Sequence, residues 1–199
     1  NIKIIEDASE SLGTIYINNF FNNKHTGSIG KMGCFSFNGN KIITSGGGGM
    51  ITTNDAKIAK KARYLINQAK DDTMHFVHNS IGYNFRMSNI HAAIGLTQIE
   101  KINHIIKRKK AIRDFYELHI GKIDGLKLAE TPSYSINNNW LNVIQIDKKK
   151  YKKNKIQIMK MLLNSGIETR PVWKLNHLQK PYKKYQRYNI KLAKDLTSI

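Results

Sequence analysis

The sequence is short of cysteine, of acidic residues and of long apolar runs. Its one cysteine, Cys34, allows no disulfide within the 199 residues. That excludes a disulfide-stapled framework and suits a reducing cytoplasm. No window of about 18 apolar residues occurs, which excludes a membrane-spanning helix. Residues 1–7, Asn-Ile-Lys-Ile-Ile-Glu-Asp, do not form a signal peptide and read as a strand running into acids. There is no initiator Met, and both ends of the chain are expected to be cut. Only 14 residues are acidic against 33 Lys and Arg, a net charge of +19. Such a balance can attract nucleic acid or an anionic membrane. Arg is sparse, and the lysines are spread along the chain among Asn and Ile, so the charge reads as compositional drift and no nucleic-acid partner is expected. Anionic small molecules are a compatible partner class. His75, His78 and His91 lack the paired spacing of a metal site, and no metal is expected.

What is present is ordinary for a globular domain: 40% apolar and 24% charged residues. Short apolar stretches at 2–5, 33–37, 50–53 and 140–146 read as strands, and 167–171 as a further one. Helical spacing predicts helices over about 55–69, 89–120, 154–164 and 189–197. Residues 18–30 and 70–88 read as loop. Strands alternate with helices, which argues for α/β layers. A break at 121–132 divides the chain into a larger part, 1–122, and a smaller α/β part, 123–199.

Three local features point to chemistry. Glu6-Asp7-Ala8 stands at a strand end, where ligands gather in α/β folds. Phe35-Ser36-Phe37-Asn38-Gly39-Asn40-Lys41 places a lysine on a turn after a core strand, with Gly46 to Gly49 close behind. Glycines let backbone approach a ligand closely, and a pinned, desolvated lysine is the kind used for Schiff-base chemistry. Taken alone, Lys41 reads equally as a surface lysine in a glycine-rich hairpin. The glycines lack the Gly-Lys-Ser/Thr ending of a P-loop. The third feature, Gly82-Tyr83-Asn84-Phe85-Arg86-Met87-Ser88-Asn89-Ile90, leads into a capped helix.

Taken in order and spacing, these motifs resemble the DegT/DnrJ/EryC1/StrS family of pyridoxal-phosphate-dependent sugar aminotransferases. The resemblance runs from residue 1 to about 195. It implies the type I (aspartate aminotransferase-like) α/β fold in part: later strands of a large, mostly parallel sheet and a truncated C-terminal α/β domain. It implies pyridoxal 5'-phosphate held covalently by Lys41, with Asp7 on the ring nitrogen and Ser36 on the phosphate. Asn84 reaches that phosphate from a neighbouring subunit in a homodimer, and Arg170 and His177 touch the nucleotide sugar. Glu10 stands where the family commonly has Gln, near the cofactor's phenolic oxygen. A carboxylate there is repulsive unless a proton is shared. With Gly46 to Gly49 in place of Gly-Glu-Gly-Gly, Glu10 resembles the branch that converts a UDP-4-keto-6-deoxy-N-acetylhexosamine to its 4-amino sugar. Glutamate is the expected amino donor, and surface-polysaccharide or glycan synthesis the setting. The family's N-terminal part, with its Gly-Thr loop, has no counterpart here, so incomplete folding and exposed apolar surface are expected. The alternatives are a non-catalytic remnant of such an enzyme and a basic binding module built on the Lys148–Lys155 run.

Overall fold

The computed structural model describes residues 2–18 and 20–198. They fall into two compact units. The first comprises residues up to Ala111 together with Thr131–Trp140, the second Ile112–Glu130 together with Leu141 onward.

The first unit opens with β1 (Ile5–Asp7), β2 (Ile15–Tyr16), β3 (Met32–Ser36) and β4 (Gly49–Thr52). A three-stranded sheet has the order β1-β3-β4. β1 runs parallel to β3 with Asp7 opposite Cys34, and β4 returns antiparallel with Gly49 opposite Ser36. A parallel pair needs a crossover chain. Here the crossover is irregular, and side chains tie it down. The Glu6 carboxylate accepts main-chain N–H groups from Gly27, Ile29 and Gly30 at 2.7, 2.7 and 2.6 Å. Thr26 donates its hydroxyl to the Ser11 carbonyl at 2.8 Å, and Thr52 donates to the Gly27 carbonyl at 2.7 Å.

α1 (Ala56–Ile66) follows. Asp55 caps it, accepting from Lys57 N and Ile58 N, and pairs with Lys31 at 2.8 Å. The helix stops three residues before its predicted end. Gln68 and Ala69 take left-handed φ values of 62° and 49°, which no helix can continue through. A hairpin of β5 (Lys70–Asp72) and β6 (Val77–His78) comes next, where loop is predicted. The single long helix predicted over 89–120 is two: α2 (Asn89–Glu100) and α3 (Ile102–Ile120), separated at Lys101. Ser88 caps α2 through His91 N. Ile90, Ile94, Leu96 and Ile99 of α2 are exposed, as are Ile81 and Phe85 before it.

The core of this unit is Phe37, Ile42 and Ile43, all buried. Leu12, Met87, Ile102, Ile105 and Ile106 pack against it. Burying each such aliphatic or aromatic side chain stabilises by about 1.5–3 kcal/mol. These three residues bracket Lys41, so the lysine loop is anchored by the core on both sides.

In the second unit β7 (Leu126–Leu128) pairs with a later strand. β8 (Ser135–Ile136) belongs to the first unit and pairs antiparallel with β2. β9 (Ile144–Ile146) is that later strand, antiparallel to β7 with Leu126 opposite Ile146. It is shorter than the predicted 140–146. α4 (Lys148–Tyr151) is capped by Asp147 and ended by Lys152 in the left-handed region, φ 59°. α5 (Lys155–Asn164) starts with a reciprocal capping box between Asn154 and Gln157. α6 (Lys191–Ser198) closes the unit. The predicted strand at 167–171 does not form; the segment has no ladder partner among the described residues, and Pro171 has no N–H to give one. No described helix is long and apolar enough to cross a membrane.

Candidate active site

Asp7 and Ser36 end β1 and β3, adjacent parallel strands. Their C-terminal edge is where α/β sheets present ligand-binding groups. From Ser36 the chain turns tightly. Asn38 N donates to Ser36 Oγ at 3.3 Å, and Lys41 N to the Asn38 carbonyl at 3.0 Å. The loop closes where Ser45 N and Thr44 Oγ1 both donate to the Phe37 carbonyl, at 3.0 and 3.1 Å. Gly46 and Gly48, at φ 83° and 84°, then carry the chain into β4 through a region that side chains avoid.

The Lys41 side chain is mostly covered, at 12% exposure, and its Nζ lies 3.0 Å from Glu10 Oε1. The ammonium also sits over the Trp140 ring, 4.9 Å from the centroid. So the Glu10 carboxylate, expected to face a phenolic oxygen, is paired with the lysine.

Asp7 is exposed. Its pKa is nonetheless lowered from the ordinary 3.8. The Ser9 hydroxyl donating to Asp7 Oδ1 is the main cause, followed by the Ser9 N–H at 3.2 Å, with the Lys41 charge a smaller one. Burial acts in the opposite direction. The aspartate is therefore kept anionic by hydrogen bonding.

Two residues that the sequence reading did not assign to a site belong to this region: Asn138, and Trp140, read as the first residue of a strand. Asn138 is 2% exposed, and its Nδ2 donates to the Glu10 and Leu12 carbonyls at 2.9 and 3.0 Å. Trp140 donates its main-chain N–H to Asn138 Oδ1 at 3.0 Å and its indole Nε1–H to the Asn40 carbonyl at 2.5 Å. The only local signal is the Asn137-Asn138-Asn139-Trp140 run itself, since asparagines favour local hydrogen bonding and left-handed backbone; Asn139 has φ 53°.

The remaining predicted residues lie elsewhere. Asn84 is exposed, on a stretch docked to the end of α1 through Tyr83 N to the Leu65 carbonyl and Phe85 N to the Ile66 carbonyl. Arg170 and His177 lie in the second unit. Arg170 is exposed and ion-paired with Glu168. His177, in a short 3₁₀ turn, has a buried Nε2 without a hydrogen-bond partner among the described residues. No group of three or more metal-ligating side chains occurs among the described residues.

Chemically, the strand edge offers a pinned primary amine with its counter-ion and an anionic carboxylate able to hold a proton on a basic nitrogen. It also offers a serine hydroxyl able to donate to an anion. That donor set fits pyridoxal phosphate. The fold agrees. The structure of DesI with its TDP-sugar product matches 99% of this chain and 49% of that one, with a TM-score of 0.85 at 25% identity. An aminotransferase from Brucella abortus matches 98% and 50%, with a TM-score of 0.82 at 26% identity. The architecture is thus that of about half of a pyridoxal-phosphate sugar aminotransferase of fold type I. The chain belongs to the DegT/DnrJ/EryC1/StrS aminotransferase family, whose profile matches residues 1–198. EpsN of Bacillus subtilis (strain 168) is 38% identical over 89% of this chain and 44% of its own length. GDP-perosamine synthase of Caulobacter vibrioides is 35% identical over 97% and 51%. The chain spans about half the length of the relatives it matches.

Proposed function

We propose that this chain carries the lysine-bearing part of a pyridoxal-phosphate-dependent aminotransferase that aminates a 4-keto nucleotide sugar. The observation that carries the reading is the Lys41 amine, fixed at 3.0 Å from Glu10, with Asp7 and Ser36 at the ends of the adjoining strands. Pyridoxal phosphate, when bound, supplies an electron sink for a carbanion. The protein's part is to hold and move protons around it. Lys41 Nζ would hold the cofactor covalently and would carry protons at the reacting carbon. Asp7, anionic through Ser9, would hold a proton on the ring nitrogen. Ser36 Oγ would donate to the phosphate. Asn84, exposed in one subunit, would serve the phosphate of a second copy in a homodimer. Glu10 would partner the lysine amine.

Relatives support the substrate class by their names. Besides the perosamine synthase there is the UDP-4-amino-4,6-dideoxy-N-acetyl-β-L-altrosamine transaminase of Campylobacter jejuni, 27% identical over 92% of this chain and 48% of its own length. The reading takes a UDP-4-keto-6-deoxy-N-acetylhexosamine as acceptor and glutamate as donor, with Arg170 and His177 contacting the nucleotide sugar. Cytoplasmic glycan-precursor synthesis is the setting. The test is borohydride trapping of pyridoxal phosphate on the chain, followed by peptide mass spectrometry. The label is expected at Lys41 and absent from Lys41→Ala. Labelling spread over exposed lysines such as Lys57, with no preference for Lys41, removes the assignment.

A further inference from the structure

Lysine is a compact charge on a flexible four-carbon stem. Something must choose one position for its amine. In this unit the choice is made by a segment about a hundred residues downstream. The Trp140 indole lies beside Lys41 and uses its two functions separately. Its face receives the ammonium at 4.9 Å, within the roughly 6 Å range of a cation–π contact. Its Nε1–H bonds the carbonyl of Asn40, the residue before the lysine, at 2.5 Å. The same segment fixes the lysine's counter-ion, because buried Asn138 donates to the main-chain carbonyl of Glu10 at 2.9 Å. Asn138 Oδ1 in turn accepts the Trp140 N–H, so one side chain sets the place of both Trp140 and the Glu10 backbone. The left-handed Asn139 between them lets both side chains address the site.

We infer that Trp140 is a positioning residue for Lys41: its ring caps the amine, its N–H latches the lysine loop, and Asn138 sets it against the Glu10 backbone. The catalytic meaning of that latch rests on the function proposed above; the latch itself is tested without it. In the 199-residue chain, lysines are reductively methylated in competition across a pH series, and rates are resolved by peptide mass spectrometry. Exposed Lys57 is the internal reference. Trp140→Leu removes ring and donor, and is expected to raise the Lys41-to-Lys57 rate ratio about tenfold, through lost cover and lost attraction for the ammonium. Trp140→Phe keeps a ring and loses only the donor, and is expected to raise it about threefold. A purely structural tryptophan would not give that graded, Lys41-specific response with Lys57 unmoved. Ratios within about twofold of the parent in both variants overturn the inference. If Trp140→Leu loses its melting transition, the Phe variant decides alone. Borohydride trapping on the parent separates the two readings. Trapping at Lys41 with unmoved ratios removes the role of Trp140 alone. Moved ratios without trapping at Lys41 remove the aminotransferase reading alone.

Discussion

Glu10 Oε1 lies 3.0 Å from Lys41 Nζ although 31 positions separate the two residues in sequence. The carboxylate is 41% exposed while the lysine is mostly covered, so solvent screens the pair from one side only. Exposed pairs of this kind contribute at most about 1 kcal/mol. Their value lies in geometry: the carboxylate holds the amine in one place.

Glu10→Gln keeps the shape and a hydrogen-bond acceptor but removes the charge. Unfolding in urea is expected to move by less than about 1 kcal/mol. The rate of reductive methylation at Lys41 is expected to rise several-fold, as the amine loses the carboxylate that fixes it in place. A destabilisation well above that bound, with Lys41 no more reactive, would mean that Glu10 is structural.

Glu6 serves a different purpose from its neighbour Asp7. Its carboxylate accepts three main-chain N–H groups from the 27–30 loop and thereby fixes the crossover between β1 and β3. Hydrogen bonds to a charged group are worth about 1.5–3 kcal/mol, and here water can replace part of them. Glu6→Ala is expected to cost about 2–3 kcal/mol in denaturant unfolding. Amide exchange at Gly27, Ile29 and Gly30 should quicken together. Unchanged exchange at these three amides would show that other contacts hold the loop.

Asp7 gives a pH signature. Its folded-state pKa is depressed below 3.8, chiefly by the Ser9 hydroxyl. A depressed carboxylate contributes stability that is fully present above its ordinary value and is lost as pH falls through the folded one. The window therefore lies on the acid side of 3.8. Carbon-detected NMR titration of the Asp7 carboxyl is expected to show a low midpoint, and Ser9→Ala to bring it back up. A midpoint unmoved by Ser9→Ala would transfer the effect to the Ser9 N–H, which that substitution keeps, and to the smaller Lys41 charge, which Lys41→Ala then tests.

The placement of the strand-end residues was readable because it is local. Asp7 ends an apolar stretch, Ser36 ends another, and Lys41 follows within one turn, so the residues that share the edge announce it by spacing. The sheet edge itself needed the structure, since only pairing puts Asp7 opposite Cys34 and so beside Ser36. The partner of Glu10 was not readable, because a salt bridge between loops 31 positions apart leaves no periodic trace. The same holds for Trp140, whose Trp-Leu-Asn-Val context reads as the start of a strand until Asn138 and left-handed Asn139 break it. The end of α1 was missed for another reason: Gln68 and Ala69 take left-handed backbone without being glycine. The strand expected at 167–171 failed because Ile167-Glu168-Thr169-Arg170-Pro171 has little apolar side chain to bury and ends in a proline that cannot donate to a ladder.

The latch between Trp140 and the lysine loop also orders events in time. The indole meets the Asn40 carbonyl across 100 residues of chain. Ribosomes add about 5–20 residues per second, so Lys41 is made some 5–20 seconds before the residue that fixes it. Throughout that interval the lysine loop has neither the Trp140 ring over its amine nor the indole bond to Asn40, and Glu10, made before it, is the partner already at hand.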